Sequence, residues 1–145
     1  MKRISFLTKA EIHAVESAIK KAEKMTSGEI RVHIENTTEK PTLVRAKEVF
    51  LYLNMDVTRQ KNAVLFYVAA DNRTFAVIGD RGIDAVVPDT FWEDTKALVL
   101  HYFEKGAIKE GLIAGIQKVG ENLQHFFPYQ KDDTNELPDD ISIGK

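Results

Sequence analysis

The run Asn62-Ala63-Val64-Leu65-Phe66-Tyr67-Val68-Ala69-Ala70 constrains this chain more than any other stretch. A strand with one wet face alternates polar and apolar residues, whereas nearly continuous apolar sequence suits a central strand covered on both faces. Such a strand needs elements above and below it, and the rest of the chain offers helical periodicities for both layers.

The first is announced by Thr8-Lys9-Ala10-Glu11, which has capping-box spacing, followed by Ile12, Val15, Ile19, Ala22 and Met25 at helical intervals. Lys20, Lys21 and Lys24 fall where the helix dipole favours cations. Gly28 stops this helix. Glu29 to Glu35 then alternates Glu29, Arg31, His33 and Glu35 with Ile30, Val32 and Ile34, which predicts a strand with one wet face. Pro41 can open a second helix to about Asn54, with Val44, Phe50 and Leu53 inward, followed by a loop from Met55 to Lys61. Beyond the central strand, Asp71-Asn72-Arg73 reads as a turn and Thr74 to Ile78 as the return strand of a hairpin. Two closing helices are expected. Thr90 to about Lys105 places Phe91, Thr95, Leu98 and Tyr102 inward, and Ile108 to Phe127 places Leu112, Ile116, Val119 and Leu123 inward, with Gly106 between them. After Pro128 the composition turns acidic, so residues 1–128 read as one domain and 129–145 as a disordered tail.

Composition narrows the function classes. A chain of 145 residues with 43% hydrophobic content is long enough to bury about 68% of its unfolded surface in one core. The net charge of -2, with acids and bases interspersed, presents no basic face for nucleic acid or an anionic membrane. Cysteine is absent, which excludes disulfides, zinc-thiolate centres and thiol nucleophiles. Neither a secretion signal nor a membrane-spanning run is recognisable, so a cytoplasmic monomer is the expectation.

Topology then says where a site can form. Two strands joined by a helix run parallel, and the hairpin makes the third antiparallel to the second. The start of the first strand at Glu29, the loop before Asn62 and the exit from the third strand should therefore share one sheet edge. That exit reads Ile78-Gly79-Asp80-Arg81-Gly82-Ile83-Asp84-Ala85-Val86-Val87-Pro88-Asp89, in which three carboxylates follow a glycine. Asp80, Asp84 and Asp89 are oxygen donors suited to a hard cation, with Asn62 or Glu29 completing the shell. The plain alternative is that Asp80 ends a turn, Asp84 is solvated and Asp89 caps the next helix. Arg81 and Lys61 beside a helix start could instead hold an oxyanion.

The segments Ser27-Gly28-Glu29-Ile30-Arg31-Val32, Lys61-Asn62-Ala63-Val64-Leu65 and Val77-Ile78-Gly79-Asp80-Arg81-Gly82-Ile83 with Pro88-Asp89 together resemble the TPM domain family over residues 10–127. The resemblance implies a mixed β-sheet sandwiched between α-helices, a Rossmann-like three-layer α/β fold. It also implies an acidic divalent-metal site at the loops, usually filled by calcium, with magnesium as the other hard cation, and in some members acid phosphatase activity. The chain departs from that pattern at Lys61-Asn62-Ala63, where the family writes Asp-Asn-Gly, so a base replaces an acid beside the presumed site. The expected function is a calcium-binding domain with weak metal-dependent phosphatase activity. The alternative is a non-catalytic interaction module whose loops the cation orders for a protein partner.

His13, His33, His101 and His125 lie on four different elements without a ligand partner at metal spacing, so each reads as solvated or as part of the core edge. Phe91-Trp92 reads as core packing.

Overall fold

The computed structural model describes residues 7–130 and 136–144. The elements in order are α1 (Lys9–Ala22), β1 (Glu29–Glu35), α2 (Thr42–Tyr52), a 3-10 turn at Met55–Val57, β2 (Ala63–Ala69), β3 (Thr74–Gly79), the single turn α3 (Arg81–Asp84), α4 (Glu93–Glu104), α5 (Ile108–Leu123) and β4 (Ser142–Ile143). They form a mixed sheet in the order β3-β2-β1-β4. β1 pairs in parallel with β2, Glu29 opposite Ala63, and β2 pairs antiparallel with β3, Val64 opposite Gly79.

Every residue of β2 is buried, as its apolar run requires. Val64, Phe66 and Val68 join Ile30, Val32 and Ile34 of β1 in a core closed by α1, α4 and α5. Leu65 and Tyr67 face the other way, into a smaller core under Ala46, Val49 and Phe50 of α2. Helix α1 starts as its capping box requires: Thr8 Oγ1 accepts the Glu11 N–H at 3.1 Å, and Glu11 Oε1 accepts the Thr8 N–H at 2.9 Å. Gly115 lets α5 lie close to α4, since a Cβ there would come within 2.5 Å of Val99 Cγ2.

Three expectations need correction. Val44 is exposed, and Ala46, Val49 and Phe50 are the residues α2 buries, because apolar residues ring this helix and its sequence does not single out one face. Helix α4 starts at Glu93 rather than Thr90, because residues 88–92 form turns in which Phe91 N–H reaches the Pro88 carbonyl at 3.0 Å.

The third correction matters most: β1 has no wet face. Glu29, His33 and Glu35 are all buried. Part of their cover is the segment 136–144, expected to be a mobile tail. Leu137 and Ile141 are buried in the two cores, Ser142 pairs with His33, and Gly144 donates to the Ile34 carbonyl at 2.8 Å. The remainder of that expected tail, including Asp132 and Asp133, lies outside the described residues. No helix among the described residues is long and apolar enough to cross a membrane.

Candidate functional site

The three loops do meet at one sheet edge. The Glu29 N–H donates to the Asn62 carbonyl at 3.3 Å, and the Asp80 N–H to the Ala63 carbonyl at 2.9 Å. Gly82 seals the contact: a Cβ there would lie 2.2 Å from the Gln60 carbonyl oxygen and 2.4 Å from that of Lys61, so only glycine fits.

Within this edge the expected ligands separate. Asp80 and Asp84 stay together on one turn, with the Asp84 N–H donating to the Asp80 carbonyl at 3.2 Å. Asp80 Oδ1 accepts the Arg81 N–H at 2.7 Å, whereas Oδ2 is buried without a partner. Desolvation against the groove, then the charge of Asp80, raises the Asp84 carboxyl above its ordinary value, and Lys47 opposes the shift. These two aspartates and Asp56 line one end of a groove of about 440 Å³. Leu43, Phe50 and Leu51 of α2 form one wall, Trp92 and Lys96 line the other side, and the floor is β3 from Val77 to Gly79.

The remaining candidates point elsewhere. Glu29 Oε1 accepts the backbone N–H groups of Glu136 and Leu137 at 3.0 and 2.9 Å, so this carboxylate holds the C-terminal segment. Asn62 is buried with its amide 3.4 Å from Ser27 Oγ. Asp89 is exposed in the turns before α4 and forms no helix cap. Lys61 has a left-handed backbone, φ 52°, and its ammonium folds back onto the Asp56 carbonyl, while Arg81 is exposed. Among the described residues, no three His, Asp or Glu side chains gather as a metal ion would require.

Two polar clusters escaped the sequence reading, both on the supposedly wet face of β1. Burial, then a bond with Asp139, pushes Glu23 up to about 10. Burial likewise pushes its neighbour Glu29 up to about 7, although the Leu137 and Glu136 amides oppose it. On the same strand burial would raise Glu35, but bonds from Arg45, Tyr67 and His33 outweigh it and hold the carboxyl at about 2. Arg45 grips both oxygens, Nε at 2.8 Å and Nη2 at 2.9 Å, and the Tyr67 hydroxyl also donates to Glu35. An ionised Glu35 can only accept, so His33 donates from Nε2 at 3.0 Å, and its Nδ1 accepts the Ser142 hydroxyl at 2.9 Å. The strict charge alternation of β1 was the available signal, and it was read as solvation.

The model of the TPM domain matches residues 2–122. The chain belongs to the TPM domain family. Among solved structures, the TPM chain is similar to the BA42 protein of the psychrophilic bacterium Bizionia argentinensis, with 48% identity, 99% of this chain and 100% of that one covered, and a TM-score of 0.92. The fold also recurs in the N-terminal domain of a P. gingivalis protein, with 17% identity, 87% and 83% covered and a TM-score of 0.68. A third likeness is the N-terminal domain of the cg2496 protein of Corynebacterium glutamicum, with 11% identity, 96% and 80% covered and a TM-score of 0.63. No curated protein matches the chain.

Proposed function

We propose that this TPM domain binds a divalent cation, calcium first and magnesium second, at Asp80 and Asp84. The reading rests on one observation: Asp80 Oδ2 is buried without a partner beside a second carboxylate. A buried acceptor left unsatisfied costs about 1–3 kcal/mol, more when charged. A hard cation would satisfy it and cancel the repulsion between the two carboxylates. Two carboxylates are few for calcium, which takes six to eight oxygens, so waters and backbone carbonyls of the 56–61 loop complete the shell in this reading.

Phosphomonoester hydrolysis by a cation-activated water is the second reading, favoured by Lys47 and Lys96 lining the groove that holds the carboxylates. Against it, the ammonium of Lys61 is tied to Asp56 and offers no phosphate clamp. The non-catalytic module is therefore the conclusion. Thermal unfolding with millimolar calcium against chelator, alongside a p-nitrophenyl phosphate assay, tests both. Stabilisation without turnover supports the module, stabilisation with calcium-dependent turnover supports the hydrolase, and an unchanged melting temperature sinks the cation site.

A further inference from the structure

The buried polar network of β1 ends on a hydroxyl of the outermost strand. Ser142 of β4 lies level with His33 of β1, so the two side chains leave the same face of the sheet. The Ser142 hydroxyl donates to His33 Nδ1 at 2.9 Å, and His33 Nε2 donates to Glu35 Oε1 at 3.0 Å. Exposure falls along this series: Ser142 is half-buried, His33 and Glu35 fully so. A hydroxyl, an imidazole able to take its proton and a carboxylate that orients the imidazole are the parts of a nucleophilic serine, whatever their order in the chain. The ring presents Nδ1 rather than Nε2 to the hydroxyl, which leaves the three roles unchanged.

The surroundings hold this alignment. The Tyr67 ring stacks on His33 with 10° between the planes, and Arg45 fixes Glu35 through both oxygens. A Cβ on Gly144 would lie 2.8 Å from His33 Nε2 and 2.9 Å from Glu35 Oε1, so a side chain there would intrude on the bond between them. Burial holds His33 below its ordinary value, outweighing the Glu35 bond, and the charges of Arg45 and Arg31 act in the same direction as burial. The ring is therefore neutral near pH 7 and free to accept a proton. Two donors stand beside the hydroxyl. Because the Gly144 N–H goes to the Ile34 carbonyl, the Ile143 N–H faces away from β1, and no described backbone carbonyl accepts it. The amide after a nucleophile is a common oxyanion donor. Arg31, on the same face two residues before His33, has a buried Nε without a partner.

We propose that Ser142, His33 and Glu35 form a hydrolytic centre for small carboxylic esters, with an anionic group of the substrate against Arg31. Ser142 Oγ bonds to the acyl carbon while its proton passes to His33 Nδ1, and the Ile143 amide receives the oxyanion. The ester C–O bond then breaks, and the alcohol leaves with the proton from His33. Water attacks the acyl-serine by the same route, releasing the acid and restoring Ser142. Glu35 stays ionised throughout. Arg45 takes up part of its charge, so the centre is slow. It lies at the β4 edge of the sheet, opposite the β3 edge that leads to Asp80, and does not depend on the cation reading.

The test treats the full chain with a fluorophosphonate probe in chelator and locates the adduct by mass spectrometry. The adduct should fall on Ser142 and be lost in Ser142→Ala. His33→Gln should slow its formation by about a hundredfold, the contribution of a general base. Gly144→Ala, checked for an intact fold, should slow it by about tenfold or more through misalignment. In the parent the rate should rise with pH as His33 loses its proton and level off by about pH 7. Mono-4-nitrophenyl succinate should be cleaved faster than 4-nitrophenyl acetate, and Arg31→Gln should remove the preference, about tenfold in kcat/KM, the loss of one charge-assisted bond. Absence of an adduct at Ser142 overturns the proposal. So does a rate that keeps climbing to about pH 10, as for a hydroxyl without a base. If His33→Gln unfolds, the parent pH profile and Gly144→Ala decide the role of the imidazole. Equal loss on both esters in Arg31→Gln overturns the part assigned to Arg31.

Discussion

Glu29 accepts the backbone N–H of Leu137 at 2.9 Å, a bond between the first residue of β1 and a segment 108 positions later. The same carboxylate oxygen takes the Glu136 N–H, and Glu16 takes that of Ile141 at 2.9 Å. Carboxylates on the body of the domain therefore collect the amides of an acidic C-terminal segment. Truncation after Tyr129 should accordingly destabilise the protein. Burying Leu137 and Ile141 contributes about 1.5–3 kcal/mol each, so urea unfolding should show a loss of at least about 3 kcal/mol. Unchanged stability would mean that the segment does not dock in solution.

The same segment should make stability depend on pH. Glu29 at about 7 and Glu23 at about 10 both lie above the ordinary carboxylate value of 4.5, so the folded state binds more protons than the unfolded chain between those limits. A raised carboxyl weakens folding as pH rises through this window. Stability should fall from pH 5 to pH 9, and Glu23→Gln and Glu29→Gln should each flatten the decline. A parent curve that is flat or rising over that range contradicts the assignment. On the acid side, Glu35 held at about 2 gives the opposite slope, its contribution being present above 4.5 and lost as pH falls toward 2.

How much of this was legible varied with the distance over which the deciding contact acts. The central strand, the α1 cap and the meeting of three loops at one edge follow from local pattern and connection rules, and the sheet of helices and strands matches them. The pairing of Asp80 with Asp84 was legible because they stand four positions apart, the N-cap and the last residue of one helical turn. Glu29 and Asn62 were assigned to that pair by proximity along the edge, yet backbone amides 74 or more residues beyond Asn62 won the Glu29 carboxylate, a competition no local pattern records. The burial of His33 and Glu35 depends on Ser142, Arg45 and Tyr67, and alternating charge reads the same whether water or a network covers it. In the C-terminal segment the acids masked Leu137 and Ile141, the spaced apolar residues that anchor it.

Glu35 is expected to be the most sensitive polar position. Glu35→Ala leaves the buried Tyr67 hydroxyl and His33 Nε2 without their acceptor and frees Arg45. Each buried orphan costs about 1–3 kcal/mol, so denaturant unfolding should show a loss of roughly 3–5 kcal/mol. Glu110→Ala, which removes a solvent-exposed pair with Lys109 far from this network, serves as the control and should leave stability nearly unchanged. Equal effects of the two variants would contradict the reading of Glu35 as the centre of a buried network.

The central claim is that Asp80 and Asp84 hold a divalent cation, and the most direct measurement is a calcium titration followed by amide NMR on the parent, Asp80→Asn and Asp84→Asn. The account predicts saturable shifts centred on residues 80–84 and the 56–61 loop in the parent, and none there in either variant. Shifts that persist in both variants, or that centre instead on Glu23, Glu29 and Asp139, would contradict it.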